Sequence, residues 1–160
     1  MKPRINNNYI LTAALLVLIV LCWLSVSQPM SFQKEVARRE KVVKQRLAAI
    51  RQAEEHYCQM HGAYTGDFAT LVSSHCLADS LQYIPYAGKK KFQLAASTVT
   101  TKTGKQIPVM SCSATYHDYL SGMDSNGIAT LIEDAADKGN YPGLQFGNIA
   151  EDSGNRGNWE

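Results

Sequence analysis

The 160-residue chain carries a formal net charge of +2, and 19% of its residues are charged. That balance excludes a nucleic-acid binder, whose basic face dominates the charge count. Once a membrane segment is set aside, the length leaves room for one domain of about 100 residues and no second, enzyme-sized one. Lys89, Lys90 and Lys91 form the one tight basic run, which reads as a solvated turn before a strand opening at Phe92 rather than as a phosphate or lipid contact.

Tyr9 to Ser27 is a run of nineteen residues without a charge. As a helix rising about 1.5 Å per residue it nearly matches a hydrocarbon core of about 30 Å, which predicts a transmembrane helix over 9–28 after a tail at 1–8. Tyr9 and Trp23 fit the aromatic belts at the two interfaces, and Pro29 is expected to break the helix at the exit. The alternative is a signal peptide cleaved after Ser25-Val26-Ser27, although the apolar run exceeds the usual length of such a region. Lys2 and Arg4 favour a cytoplasmic N-terminus, whereas Lys34, Arg38, Arg39, Lys41, Lys44 and Arg46 lie on the other side of the run and pull the opposite way.

From Ser31 to His61 there is no Gly or Pro, and one stalk helix is expected over 29–62. Up to Val42 nearly every face is charged, so this half is expected to stand in water, with Val36 contributing to the packing of the stalk. Beyond it Val43, Leu47, Ile50 and Tyr57 recur at spacings of 4, 3 and 7, with Ala53 near the same stripe, and are expected to pack on a head domain. Gly62 then ends the helix, Thr65 or Asp67 opens a short second one, and Tyr64, Phe68 and Leu71 fold that segment back onto the first.

The succession of an apolar helix, an amphipathic helix ending in IRQAEEHYCQMHGAYTGDFATLV, and a strand-rich remainder resembles pseudopilins and type IV pilin-like proteins over roughly 9–72. In that family a long helix ends near a Tyr, and a Gly-x-Tyr stretch leads to a short helix. The resemblance implies an α+β fold with the long helix packed on a small antiparallel sheet, and a structural or assembly role in the cell envelope. One feature departs from it: neither Gly nor Glu occurs between Met1 and Ser31, where prepilins carry their cleavage motif. The tail from Asn140, with Pro85 and Pro108-Val109, is also similar to single-pass membrane proteins of Bacteroidota, which implies an envelope location.

The head is expected over 63–160. Phe92–Thr100 and Gln106–Cys112 read as a hairpin around Gly104, with Pro108 marking an edge or the start of its strand. Ile128–Ile132 and Leu144–Phe146 are expected to complete a sheet of three or four strands. The segment Asn155–Glu160, rich in Gly and Asn, lacks regular structure of its own, with Trp159 available to dock it.

Cys58 and Cys76 are candidates for a disulfide closing a loop worth about 3 kcal/mol in the chain-entropy model, the alternative being two reduced packing cysteines. With His56, His61 and His75 they form the one dense group of possible metal ligands, but the spacing fits no zinc module, so no metal or other cofactor is expected. Asp124, Asn126 and Glu133 fall at three ligand positions of a calcium loop, yet Gly122 stands at the first and cannot ligate. A polar turn is the simpler reading, although the resemblance adds to the calcium one because major pseudopilins use a calcium loop in this region. No nucleophile, phosphate-loop or zinc-protease motif occurs, and His117, Asp118 and Ser121 do not amount to a triad.

The expectation is therefore a non-enzymatic, single-pass protein of the inner membrane with its C-terminal domain in the periplasm. Its partners are the lipid bilayer and other envelope proteins reached through the stalk helix or the head, with no nucleic acid. The alternative is a membrane-tethered ligand- or metal-binding module of the periplasm.

Overall fold

Between Asn7 and His61 the chain has no glycine and one proline, and the whole stretch is a single helix, α1 (Asn7–His61). The break expected at Pro29 is not made. An interior proline forfeits one backbone hydrogen bond and costs about 3 kcal/mol, which a helix otherwise bonded along 55 residues absorbs. The computed structural model describes residues 7–101 and 104–160, leaving aside the side chains of 7–8 and 24–29. The expectations placed on Lys2, Arg4 and the Ser25–Ser27 cleavage site lie outside the described residues.

The chain divides between Val36 and Ala37 into two compact units. Neither boundary expected from sequence, at 28/29 or 62/63, coincides with that division, because α1 from Ala37 onward belongs with the head. In the first unit the described apolar side chains up to Trp23 are bare, while Val36 at its end is buried: Ile10, Leu11 and every residue from Leu15 to Leu21 are more than half exposed, and Tyr9 and Trp23 are exposed by 73% and 72%. Among the described residues no helix is long and apolar enough to cross a membrane. Positions 9–23 are too short a part of the uncharged run to span about 30 Å, so the transmembrane expectation draws no support from the fold.

The second unit is α+β. A three-stranded antiparallel sheet runs in the order β1 (Gln93–Thr100), β2 (Gln106–Thr115), β3 (Gly143–Gly147). The β1–β2 hairpin pairs Gln93 with Ser113 through Thr100 with Gln106, and Gly104, at φ +80°, turns it. Pro108 thus lies in the central strand. It is tolerated because β3 pairs only with Ser111–Thr115, which leaves one side of β2 open at Pro108.

The helices are α2 (Phe68–Ser73), α3 (Tyr116–Tyr119) and α4 (Ser125–Asp137), with a 3-10 turn at Asp79–Gln82. The strand expected at Ile128–Ile132 is helix instead. Asp124 caps α4 by accepting from the Gly127 N–H at 2.9 Å, and Ile128, Leu131, Ile132 and Ala135 then recur at helical spacing, with Ile128 and Ala135 buried.

The core is built on one face of α1, where Val43, Leu47 and Ile50 have no exposed surface and Ala53 has 4%. Opposite them lie Met110, Cys112 and Ala114 of β2, Phe146 of β3, and Tyr119 and Leu120, all buried. Phe68 and Leu71 of α2 are buried as expected. The stripe does not run on to Tyr57, which is half-buried and stacks on His61 with ring centroids 4.1 Å apart; the fully buried residue one turn beyond Ile50 is Glu54. Leu47→Ala is expected to cost about 2–5 kcal/mol in urea unfolding of the full chain, and Lys41→Ala, on an exposed position, less than about 0.5 kcal/mol.

Candidate functional site

What α1 carries on either side of its apolar stripe organises the head. Arg39 and Arg46 lie about 40–60° to one side of Val43, and Arg51 about 80° to the other, at about 100° per residue. Each arginine ends on main-chain carbonyls of a distant loop. Arg39 donates to the Tyr119 and Ser121 oxygens at 3.1 and 3.0 Å, and its guanidinium lies 4.6 Å from the centroid of the Tyr86 ring. Arg46 donates to the Ser80 and Tyr83 oxygens at 3.2 and 2.6 Å. Arg51 donates to the Asn155 oxygen at 3.0 Å and pairs with the Glu160 carboxylate at 2.8 Å. Arg39, in the half of the helix expected to stand in water, is thus a hook, as are Arg46 and Arg51 in the half expected to pack. In each case the Nη1 group donates to both acceptors.

The basic run is also not simply solvated. Lys90 pairs with Asp118 at 2.6 Å, and Lys91 lies 6.0 Å from the centroid of the Tyr83 ring. Asp118 is buried and completes a capping box with Thr115 at the start of α3. Burial pulls its carboxyl upward, but the Lys90 and Thr115 hydrogen bonds prevail and hold it below the ordinary range.

Glu54 has no exposed surface at all. Its two oxygens accept from the Thr65 and Gly66 N–H groups, each at 2.9 Å. Gly66 has φ +63°, and a Cβ there would stand 2.7 Å from the Ala96 nitrogen of β1. Glu54 thereby pins the turn before α2 against the sheet edge, in a position only glycine can occupy. Burial raises its carboxyl above the usual range despite the two N–H donors, and its charge adds to burial in pushing the Cys112 thiol well up.

Cys58 and Cys76 are free thiols, as are Cys22 and Cys112. The bridge weighed for Cys58 and Cys76 is not formed. Cys58 lies beside Glu55, Gln59 and Tyr64, while Cys76 lies against Ala49, Gln52, Ala53 and His56. His56 and Cys58 are about 200° apart around α1, so the helix separates the two sulfurs. No group of three or more His, Cys, Asp or Glu able to hold a metal occurs among the described residues. Of the calcium-loop candidates, Asp124 is the N-cap of α4, and Asn126 and Glu133 are exposed on that helix. Glu133 is nine residues beyond Asp124, about 13 Å along a helix axis, too far to share an ion.

Tyr64 is held through its hydroxyl, which accepts from the Asn155 amide at 2.9 Å. That contact belongs to a C-terminal segment more ordered than its Gly and Asn content suggests. Asn158 exchanges hydrogen bonds with the Gln145 main chain, its amide donates to the Gly143 oxygen at 2.9 Å, and Gly157 bridges to Phe146. Arg156–Asn158 so lies along β3 almost as a fourth strand. Between α1, α4 and this segment is a cavity of about 290 Å³, bordered by Glu40, Tyr116, Asp134, Tyr141 and Trp159 among others.

Comparison with protein-family models, with curated proteins and with solved structures finds no match for the chain.

Two outcomes follow from this geometry. Because the folded Glu54 carboxyl sits above its ordinary value of 4.5, unfolding releases a proton just above that pH, and stability falls as pH rises from there until the folded group ionises. Urea titrations from pH 4 upward are expected to show the native chain's advantage over Glu54→Gln shrinking as pH rises, the variant being less stable at pH 4 because its amide meets an N–H donor. Asp124→Ala is expected to destabilise by about 0.5–2 kcal/mol as a lost cap, equally with calcium and with chelator. A calcium-dependent difference in thermal midpoint would contradict the capping role.

Proposed function

We propose that this chain is a non-enzymatic, membrane-anchored envelope protein, a structural or assembly subunit of the minor-pseudopilin kind. The uncharged run 9–27 is its single pass through the inner membrane, and the unit from Ala37 onward is periplasmic. The observation that carries this reading is the difference between the two parts of α1. One part leaves a continuous set of large apolar side chains exposed from Tyr9 to Trp23, and the other buries Val43, Leu47 and Ile50 completely. Exposed apolar surface of that extent calls for a cover, which acyl chains or the helices of partner subunits supply.

The resemblance over 9–72 supports the same reading, since a long helix that is apolar first and amphipathic later is how pseudopilins combine lateral assembly with a presented head. The periplasmic side rests on that resemblance and on Lys2 and Arg4 preceding the run. Partner proteins are engaged through the stalk helix or through the head.

Photo-crosslinkers placed at Val17 and at Lys41 in native membranes are expected to yield defined adducts with other membrane proteins, and the chain is expected to stay with the membrane pellet through alkaline carbonate. Recovery of the full-length chain in the soluble fraction, without adducts, would overturn the proposal.

A further inference from the structure

The cavity bordered by α1, α4 and the C-terminal segment has the chemistry of a ligand site independent of the anchor. Its charged wall is balanced: Glu40 and Asp134 face Lys44 and Lys138, and Glu40 is already paired with Lys44 at 3.1 Å. An anionic or cationic ligand would meet a group of its own sign. Three aromatic side chains, Tyr116, Tyr141 and Trp159, complete much of the rest. Their ring faces are partly negative and suit aliphatic C–H groups or another ring.

The polar groups here are unspent. Among the described residues, no hydrogen bond within the protein engages the Trp159 indole N–H, the Tyr116 and Tyr141 hydroxyls, the Asp134 carboxylate or the Lys138 ammonium. Asn158 differs, since both ends of its amide are used to hold β3.

We propose that this cavity binds a neutral saccharide, one pyranose unit stacking its C–H face on Trp159 or Tyr141 and exchanging hydroxyl hydrogen bonds with Asp134, Lys138 and Tyr116. A sugar ring has an apolar face and a rim of groups that both donate and accept, which matches aromatic walls interleaved with unspent donors and acceptors of zero net charge. The volume of about 290 Å³ falls at the small end of ligand sites, consistent with one ring unit. Purely apolar ligands fit poorly, because they would strand the polar wall.

The test uses the full chain with Trp23→Phe, which leaves Trp159 as its one tryptophan. Its fluorescence is followed on addition of glucose, galactose and N-acetylglucosamine, with glucuronate, glucosamine and choline as charged comparators. A saturable change is expected with at least one neutral sugar, weakened at least tenfold by Asp134→Ala and by Tyr141→Ala. Asp134 is exposed and makes no hydrogen bond within the protein, so its variant keeps the native thermal midpoint and carries the test even if Tyr141→Ala does not fold. The absence of a saturable response to every neutral sugar, an unchanged response in Asp134→Ala, or a preference for a charged comparator would each overturn the proposal.

Discussion

The head unit depends on one face of one helix. Val43, Leu47 and Ile50 are removed from water completely, and Glu54 continues their line with a carboxylate that two main-chain N–H groups satisfy. A buried carboxylate is costly unless its lone pairs are met. Here the need is met by the turn that leads into α2, so the same residue both extends the core and dictates where the chain goes after the long helix. Gly66 follows from that arrangement, because the pinned turn presses on the main chain of β1 where no Cβ fits.

The loops are fastened to this spine as well as to one another. Arg39, Arg46 and Arg51 reach carbonyls of the 119–121 loop, the 80–83 segment and the C-terminal segment from the two flanks of the stripe. Segments with little apolar surface of their own gain fixed positions by satisfying main-chain acceptors with a charged donor, which is stronger than a neutral hydrogen bond. The cavity beside Tyr116 and Trp159 is a by-product of this design. It lies where the C-terminal segment, tied to β3 by Asn158 and to α1 by Arg51, meets α4.

The function proposed for the chain and the ligand proposed for the cavity draw on separate parts of it. One concerns the exposed apolar surface of the first unit and the other a polar recess in the second. A subunit that meets partners through its helix can still present a recognition site on its head, and each property is open to loss by substitution without the other.

Several features were legible in the residues because they depend on local rules. The absence of glycine and the apolar spacing at Val43, Leu47 and Ile50 specify a long helix with one buried face. The strands on either side of Gly104 specify a hairpin, and Thr65 and Asp67 before Phe68 offer a cap, which the structure assigns to Asp67. Sequence alone mistook Ile128–Ile132 for a strand, since a short apolar run does not declare its period until the Asp124 cap is weighed with it. Tyr57 fitted the stripe by spacing but lost its place to Glu54, because the partners that make a buried carboxylate tolerable come from Thr65 and Gly66, eleven and twelve residues away. The separation of Cys58 from Cys76, the arginine hooks, and the joining of Glu40, Tyr116, Asp134 and Trp159 around one cavity were decided only by the tertiary fold. Each depends on which groups long loops bring together, and no periodicity along the chain encodes that.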